Sequence, residues 1–241
     1  MIEVCGDAGD ALRDLRDGAT VLVGGFGEAG LPFGLLEGLL RCSARDLTVV
    51  SNNAGNGDSG LAAVLATGRV KKIICSYPRQ VDSWVFDRLY REGRIELELV
   101  PQGNLAERIR AAGAGIGGFY TPTGVGTPLA AGKEVRNIAG RDYILELPIH
   151  GDVALIRADT ADEAGNLTYR KTARNFGPIM ATAAKITVAE VSRVVPAGAI
   201  DPESVVTPGI FVNRVVLASG PARSGPARSG SAHPGSREAT R

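Results

Sequence analysis

Four short apolar runs recur through the first hundred residues, and segments with helical spacing lie between them. The runs are 20–23 (TVLV), 47–50 (LTVV), 72–76 (KIICS) and 95–100 (IELELV). The helical segments are 7–16, 33–42, 60–67, 81–91 and 104–112. Runs this short suit strands covered on both faces, and the helices between them supply the cover. Strands joined through a helix lie parallel. The pattern predicts an α/β fold, an open and largely parallel sheet with helices on both faces.

Beyond about residue 122 the pattern changes. Segments 134–138 and 143–147 read as strands around a turn at Gly140 and Arg141. Segments 153–158 and 167–170 flank a second turn, Asp162-Glu163-Ala164-Gly165-Asn166. Further strands are expected at 185–191 and 210–216, so the second half is predicted to mix strand directions. No linker interrupts 1–218, which reads as one domain. Residues 219–241 repeat SGPAR and hold almost no large apolar side chain. Such a segment cannot bury enough surface to offset its ordering entropy, and a disordered tail is expected.

Composition excludes several classes. The net charge is +1, which gives no basic surface for nucleic acid. No apolar run is long enough to span a membrane, and the N-terminal stretch lacks a signal pattern. A cytoplasmic location is expected. Cys5, Cys42 and Cys75 form no Cys-x-x-Cys pair and read as free thiols. The two histidines, His150 and His233, are too few and too isolated for a metal site. Gly57-Asp58-Ser59-Gly60 copies the surroundings of a protease serine, but both histidines follow it and the α/β pattern contradicts that fold.

The segment Gly24-Gly25-Phe26-Gly27-Glu28-Ala29-Gly30 follows the first run and contains G-x-G-x-x-G. A dinucleotide site also needs an acid at the end of the second strand. Here that strand ends in Ser51-Asn52-Asn53, and Asp46 precedes it. The loop is therefore not read as an NAD site. Its glycines still let backbone N–H groups approach an anion or polar chain, helped by the N-terminus of the next helix.

The longer string DGATVLVGGFGEAGLP, 17–32, resembles the N-terminal signature of family I coenzyme A transferases. The resemblance continues through SNNAGNGDSGLAAVL, CSYPRQVDSWVFDRLY, GNLTYRKTARNFGPIMATAA and TPGIFVNRVV, and is that of an A-type partner in a two-part enzyme. It implies a CoA-transferase-like fold, with Gly24, Gly25, Phe26, Gly27, Glu28, Ala29 and Gly30 facing a coenzyme A thioester that is substrate rather than resident cofactor. It implies a B-type partner and transfer of CoA from succinyl-CoA to a 3-oxo acid. The implied acceptor is 3-oxoadipate, with acetoacetate or acetate as alternatives. A binding module of related fold is a further alternative, and no DNA-binding extension supports it.

The transfer needs a carboxylate nucleophile. In the family this glutamate lies in a Glu-Asn-Gly-like or Glu-Asp-Gly-like motif of the B part, and this chain has none. Glu163-Ala164-Gly165 comes closest but sits in a turn, and Glu28 occupies a variable loop position. No catalytic residue is assigned here, and the nucleophile is expected on the partner. Asn52, Asn53 and Gln102 lie in loops after predicted strands, where open α/β sheets bind ligands, and their amides suit an oxygen that gains charge. Turn or cap roles are the alternatives for the asparagines. For Gln102 the alternative is a loop residue before a helix capped by Asn104. Residues 117–124, GGFYTPTG, would form a further wall, and Val125 stands where close relatives carry tyrosine. Arg170, Lys171 and Arg174 are candidates for substrate carboxylates or coenzyme A phosphates, with a solvated face or an inter-subunit ion pair as the alternatives.

Overall fold

The computed structural model describes residues 2–218. Its centre is an eight-stranded sheet. In chain order the members are β1 (Glu3–Cys5), β2 (Thr20–Val23), β3 (Leu47–Val50), β4 (Val70–Cys75), β5 (Glu96–Leu99), β9 (Gly151–Arg157), β12 (Ala184–Val191) and β14 (Arg214–Leu217). Their spatial order is β1-β14-β12-β9-β2-β3-β4-β5, and every pairing is parallel.

The β-branched strands pack both faces because successive side chains alternate. Val21 and Val23 face one core, under α1 (Ala8–Ala11), α2 (Phe33–Arg41), α3 (Gly60–Ala66) and α4 (Trp84–Arg91). Leu22 faces the other, under α5 (Gln102–Gly113) and α6 (Gly177–Thr182). In α2, Leu35, Leu36 and Leu39 are fully buried, the spacing of one helix face.

Mixed direction is confined to two small sheets. One comprises β6 (Phe119–Thr121), β7 (Val135–Ile138) and β8 (Arg141–Glu146), paired antiparallel as β6-β8-β7. Its β7–β8 turn holds Ala139 and Gly140 at φ +50° and +81°, as a two-residue hairpin demands. The other comprises β10 (Thr160–Asp162), β11 (Leu167–Thr168) and β13 (Arg193–Val195), in the order β11-β10-β13. Because β10 follows β9 and β13 follows β12 almost directly, this sheet prolongs two central strands beyond the main sheet.

Three expectations need correction. The helix expected at 7–16 is only Ala8–Ala11. Asp7 caps its start by accepting from Asp10 N, but Arg214 takes the Ala11 carbonyl at 3.0 Å, so a tertiary contact satisfies the helix end. The strand expected at 210–216 begins at Arg214, because Gly209–Phe211 form a 3-10 turn after Pro208. The strand expected at 167–170 shrinks to Leu167–Thr168 and gives way to a 3-10 turn, Lys171–Arg174. The tail expectation for 219–241 lies outside the described residues. Among the described residues no helix is long and apolar enough to cross a membrane.

The chain runs outward from β2 through β3 and β4 to β5, then returns to β9 on the other side of β2. The strand order therefore reverses between β2 and β9. Open α/β sheets bind ligands at such a switch point, beyond the carboxyl ends of the strands.

Candidate active site

The glycine loop leaves β2 at this switch point. Gly24 N still donates to Leu155 O of β9 at 2.9 Å. Phe26 and Ala29 then exchange backbone hydrogen bonds of 3.0 and 3.1 Å, which leaves Gly27 and Glu28 at the tip. Gly27 has φ +59°, and a Cβ there would meet nothing within 4 Å, so the tip faces open space. Gly30 is different. At φ +74° its Cβ would lie 2.7 Å from Ala173 O, so only glycine lets the 3-10 turn Lys171–Arg174 approach. Asn175 Nδ2 fastens the contact by donating to Ala29 O at 2.8 Å and to Thr172 O at 2.7 Å. Phe26 stays half exposed beside the loop.

The N-terminus of α2, expected to help attract a ligand anion, is already occupied. Glu190 on β12 is buried, and its Oε2 accepts from Leu35 N at 3.0 Å. A carboxylate there satisfies an orphan amide and opposes the helix dipole. The Arg157 guanidinium at the end of β9 pairs with the same carboxylate and donates to Ser192 Oγ at 3.0 Å. Glu190 thus anchors the exit of the glycine loop to two central strands.

Across β2 from this anchor, the amides converge. Asn52 and Asn53 are each 4% exposed at the end of β3. Ser76 Oγ, just past β4, donates to Asn52 Oδ1 at 2.8 Å, and Gln102 Nε2 donates to the same oxygen at 2.9 Å. Oδ1 is twice engaged, and Asn52 Nδ2 has no acceptor among the described residues. Asn53 Oδ1 accepts from Gly55 N at 2.8 Å, a turn-forming bond, and its Nδ2 is likewise unpartnered there. Among the described residues no fully buried side-chain nitrogen or oxygen lacks a partner, so both Nδ2 atoms are open to solvent.

Gln102 is not a loop residue before a cap. It is the first residue of α5, and Asn104 is a buried member of that helix rather than its cap. Asn104 Nδ2 donates to Glu146 Oε1 at 3.0 Å and to Thr123 O at 3.2 Å. It thereby ties the turn holding Thr123 and half-buried Val125 to the start of α5, next to Gln102. Sequence reasoning missed Ser76, Asn175, Arg157 and Glu190.

The acids stand apart from these amides. No carboxylate hydrogen-bonds to Asn52, Asn53 or Gln102 among the described residues. Glu28 is exposed at the loop tip. Glu163 is exposed in its turn, and its Oε2 accepts from Ala197 N at 3.3 Å. Burial pushes the Cys75 thiol up to about 12, partly countered by a bond from the Tyr77 amide, so at neutral pH it is no nucleophile. His150 is exposed. Ser59 merely precedes α3. Glu3, Cys5 and Asp10 bring ligand atoms within 4.8 Å of one another, but Arg13 already binds both carboxylates. The arrangement thus offers amide donors and, among the described residues, no carboxylate hydrogen-bonded to them.

The Coenzyme A transferase family model matches residues 7–218. The chain belongs to the coenzyme A transferase family. Over 214 residues it is 63% identical to the A component of the 3-oxoadipate CoA-transferase of Pseudomonas putida, covering 89% of this chain and 93% of that one. It is 51% identical over 219 residues to the A component of a probable succinyl-CoA:3-ketoacid coenzyme A transferase of Bacillus subtilis, covering 91% of each. An acyl-CoA transferase from E. coli O157:H7, solved as a thioester complex with CoA, matches with a TM-score of 0.79 at 24% identity. That match covers 90% of this chain and 50% of the E. coli chain, and at such identity it speaks for the fold alone. This member of the family thus spans nearly the full length of the two curated relatives and half of the E. coli chain.

Proposed function

We propose that this chain is the A component of a two-subunit enzyme that moves CoA from succinyl-CoA to 3-oxoadipate, yielding succinate and 3-oxoadipyl-CoA. The observation that carries the substrate assignment is the 63% identity to the Pseudomonas putida protein over nearly its whole length. The lack of a carboxylate among the candidate amides supports a nucleophile on a B-type partner. A cytoplasmic location belongs to the same reading.

The partner's glutamate attacks the acyl carbon of succinyl-CoA and the CoA thiolate leaves, forming a mixed anhydride. The thiolate attacks the glutamyl carbonyl and succinate departs, leaving an enzyme glutamyl-CoA thioester. The 3-oxo acid carboxylate then displaces the thiolate, which attacks the new acyl carbonyl and frees the glutamate. Each addition puts negative charge on a carbonyl oxygen. Asn52 Nδ2, held in orientation by Ser76 and Gln102, is the proposed donor to that oxygen, with Asn53 beside it. The segment Gly24 to Gly30 lines the path of the CoA arm through its backbone.

A second reading has another 3-oxo acid such as acetoacetate as acceptor, favoured by the 51% identity to the Bacillus subtilis protein, with acetate as a further alternative. The test is to reconstitute the chain with a B-type partner and compare kcat/KM for 3-oxoadipate, acetoacetate and acetate. Preference for 3-oxoadipate supports the first reading, preference for acetoacetate or acetate selects the second, and CoA binding without turnover leaves a binding module.

A further inference from the structure

The antiparallel sheet β6-β8-β7 has almost no core of its own. Every residue of β7 is exposed, and within the three strands only Ile144 and Glu146 are buried. Two apart on one strand, they share a face. A sheet this small needs an apolar face to hold its place. Here one of the two buried positions is a carboxylate, 1% exposed. Replacing a buried ion pair by apolar groups of similar volume is often neutral or stabilising, so stability alone gives no reason for the charge. The contacts of Glu146 do.

Glu146 Oε1 accepts from Lys133 Nζ at 2.7 Å and from Asn104 Nδ2 at 3.0 Å, and its Oε2 lies 3.7 Å from Arg108 Nε. Asn104 and Arg108 stand one turn apart on the same face of α5. The chain leaving β8 continues the clamp. Arg108 Nε donates to Leu147 O at 2.7 Å, and Ile149 N donates to Arg108 O at 3.0 Å. From the main sheet, Glu98 on β5 accepts from Arg108 at 2.8 Å and from Lys72 on β4 at 2.5 Å. Helix α5 is thus fixed in place and in rotation between β8 and the main sheet. Its first residue is Gln102, which donates to Asn52 Oδ1 at 2.9 Å. No side chain caps that end of the helix, so the placement of Gln102 follows from how the body of α5 is held. Asn104 also donates to Thr123 O at 3.2 Å, so the same carboxylate secures the turn beside Gln102.

We propose that Glu146 is a positioning residue for acyl transfer, acting through Asn104 and α5 to hold Gln102 where it orients Asn52. Its role rests on the reading that Asn52 Nδ2 donates to the developing oxyanion, and adds to that reading the element that keeps the donor in place. Preorganised donors are sensitive to such support, because a displacement of about 1 Å caused by a distant change can cost about 10²-fold in rate.

The test is a double-mutant cycle in the reconstituted two-subunit complex, with kcat and KM measured for the CoA thioester and for the acid. Glu146→Gln keeps the shape and removes the charge. Its kcat should fall about tenfold, with each KM changed by less than about twofold. In a Gln102→Ala background the same substitution should cost less than about twofold in kcat, because the residue it acts through is gone. Asn104→Ala removes the link between the carboxylate and the helix, and should show the same split and the same dependence on Gln102. It also serves if Glu146→Gln does not assemble, and failure of both to assemble would make the role structural and overturn the proposal. An equal fall in both backgrounds would overturn it too, as would a native kcat or a rise in KM alone in the assembled variants. If Gln102→Ala itself keeps the native kcat, the reading of the amide site fails and takes this role with it. If Gln102→Ala lowers kcat while Glu146→Gln and Asn104→Ala do not, only the role of Glu146 fails.

Discussion

The two ends of the parallel strands carry cavities of similar size but opposite chemistry. At the amino end a cavity of about 480 Å³ lies among Leu15, Gly18, Asp152, Val153 and Lys185. Two of its carboxylates are already engaged. Asp152 accepts from Thr20 N and from Lys185 Nζ, both at 2.8 Å, and Asp17 accepts from Arg45 N at 2.8 Å. At the carboxyl end, where a cavity of about 550 Å³ lies beside Arg174, Asn52 and Asn53 keep amide donors without acceptors, and Arg170, Lys171 and Arg174 keep charges without counter-ions among the described residues. Volume does not separate the two ends. The amide donors of Asn52 and Asn53, where the strand order reverses, do.

The largest expected effect comes from the anchor that holds the carboxyl end together. Glu190→Ala leaves Arg157 in a largely buried place without its partner and removes the acceptor for Leu35 N. It should cost about 3–5 kcal/mol in urea unfolding of the chain. A loss under about 1 kcal/mol would remove Glu190 from the account. Next is Asn52→Ala in the reconstituted complex, for which kcat should fall about 10²–10³-fold with little change in CoA affinity. A kcat near the native value would mean that Asn52 is only a turn residue. Gly27→Val ranks third. A β-branched residue at φ +59° costs about 1–2 kcal/mol of backbone strain and fills the open tip. CoA binding to the folded complex should weaken roughly tenfold, and unchanged affinity would make the loop a mere connection.

The smallest effect belongs to the amino end. The Lys185 ammonium, then the Thr20 amide, hold the Asp152 carboxyl below its ordinary value against the opposing effect of burial. A depressed folded value gives stability that is present above the unfolded value and lost as pH falls through the folded one. Lys185→Ala should therefore cost only about 0.2–1 kcal/mol at neutral pH and nothing once Asp152 is protonated. Paired urea titrations at neutral and acid pH check this. A larger loss, or one that persists in acid, would break the contrast between the two ends.

What could be read from the sequence follows the range of the interactions involved. Continuous β-branched runs such as TVLV and LTVV declare buried parallel strands by themselves, and the loops after them locate Gly24 to Gly30, Asn52, Asn53 and Gln102. The orientation of Asn52 depends on Ser76 and Gln102, at separations of 24 and 50 residues. The loop anchors are more distant still, 155 residues from Glu190 to Leu35 and 146 from Asn175 to Ala29. No local pattern encodes such partners. The same reason shortens α1, whose end is set by Arg214, 203 residues from the carbonyl it binds.

The central claim is that this chain supplies the donors at the carboxyl end while its partner supplies the nucleophile. Incubating the reconstituted complex with succinyl-CoA and no acceptor should accumulate the covalent CoA thioester. Peptide mass spectrometry then locates it. The account predicts the CoA adduct on a glutamate of the partner chain and none on this one. An adduct on Glu28 or Glu163, accompanied by turnover from this chain alone, would contradict it.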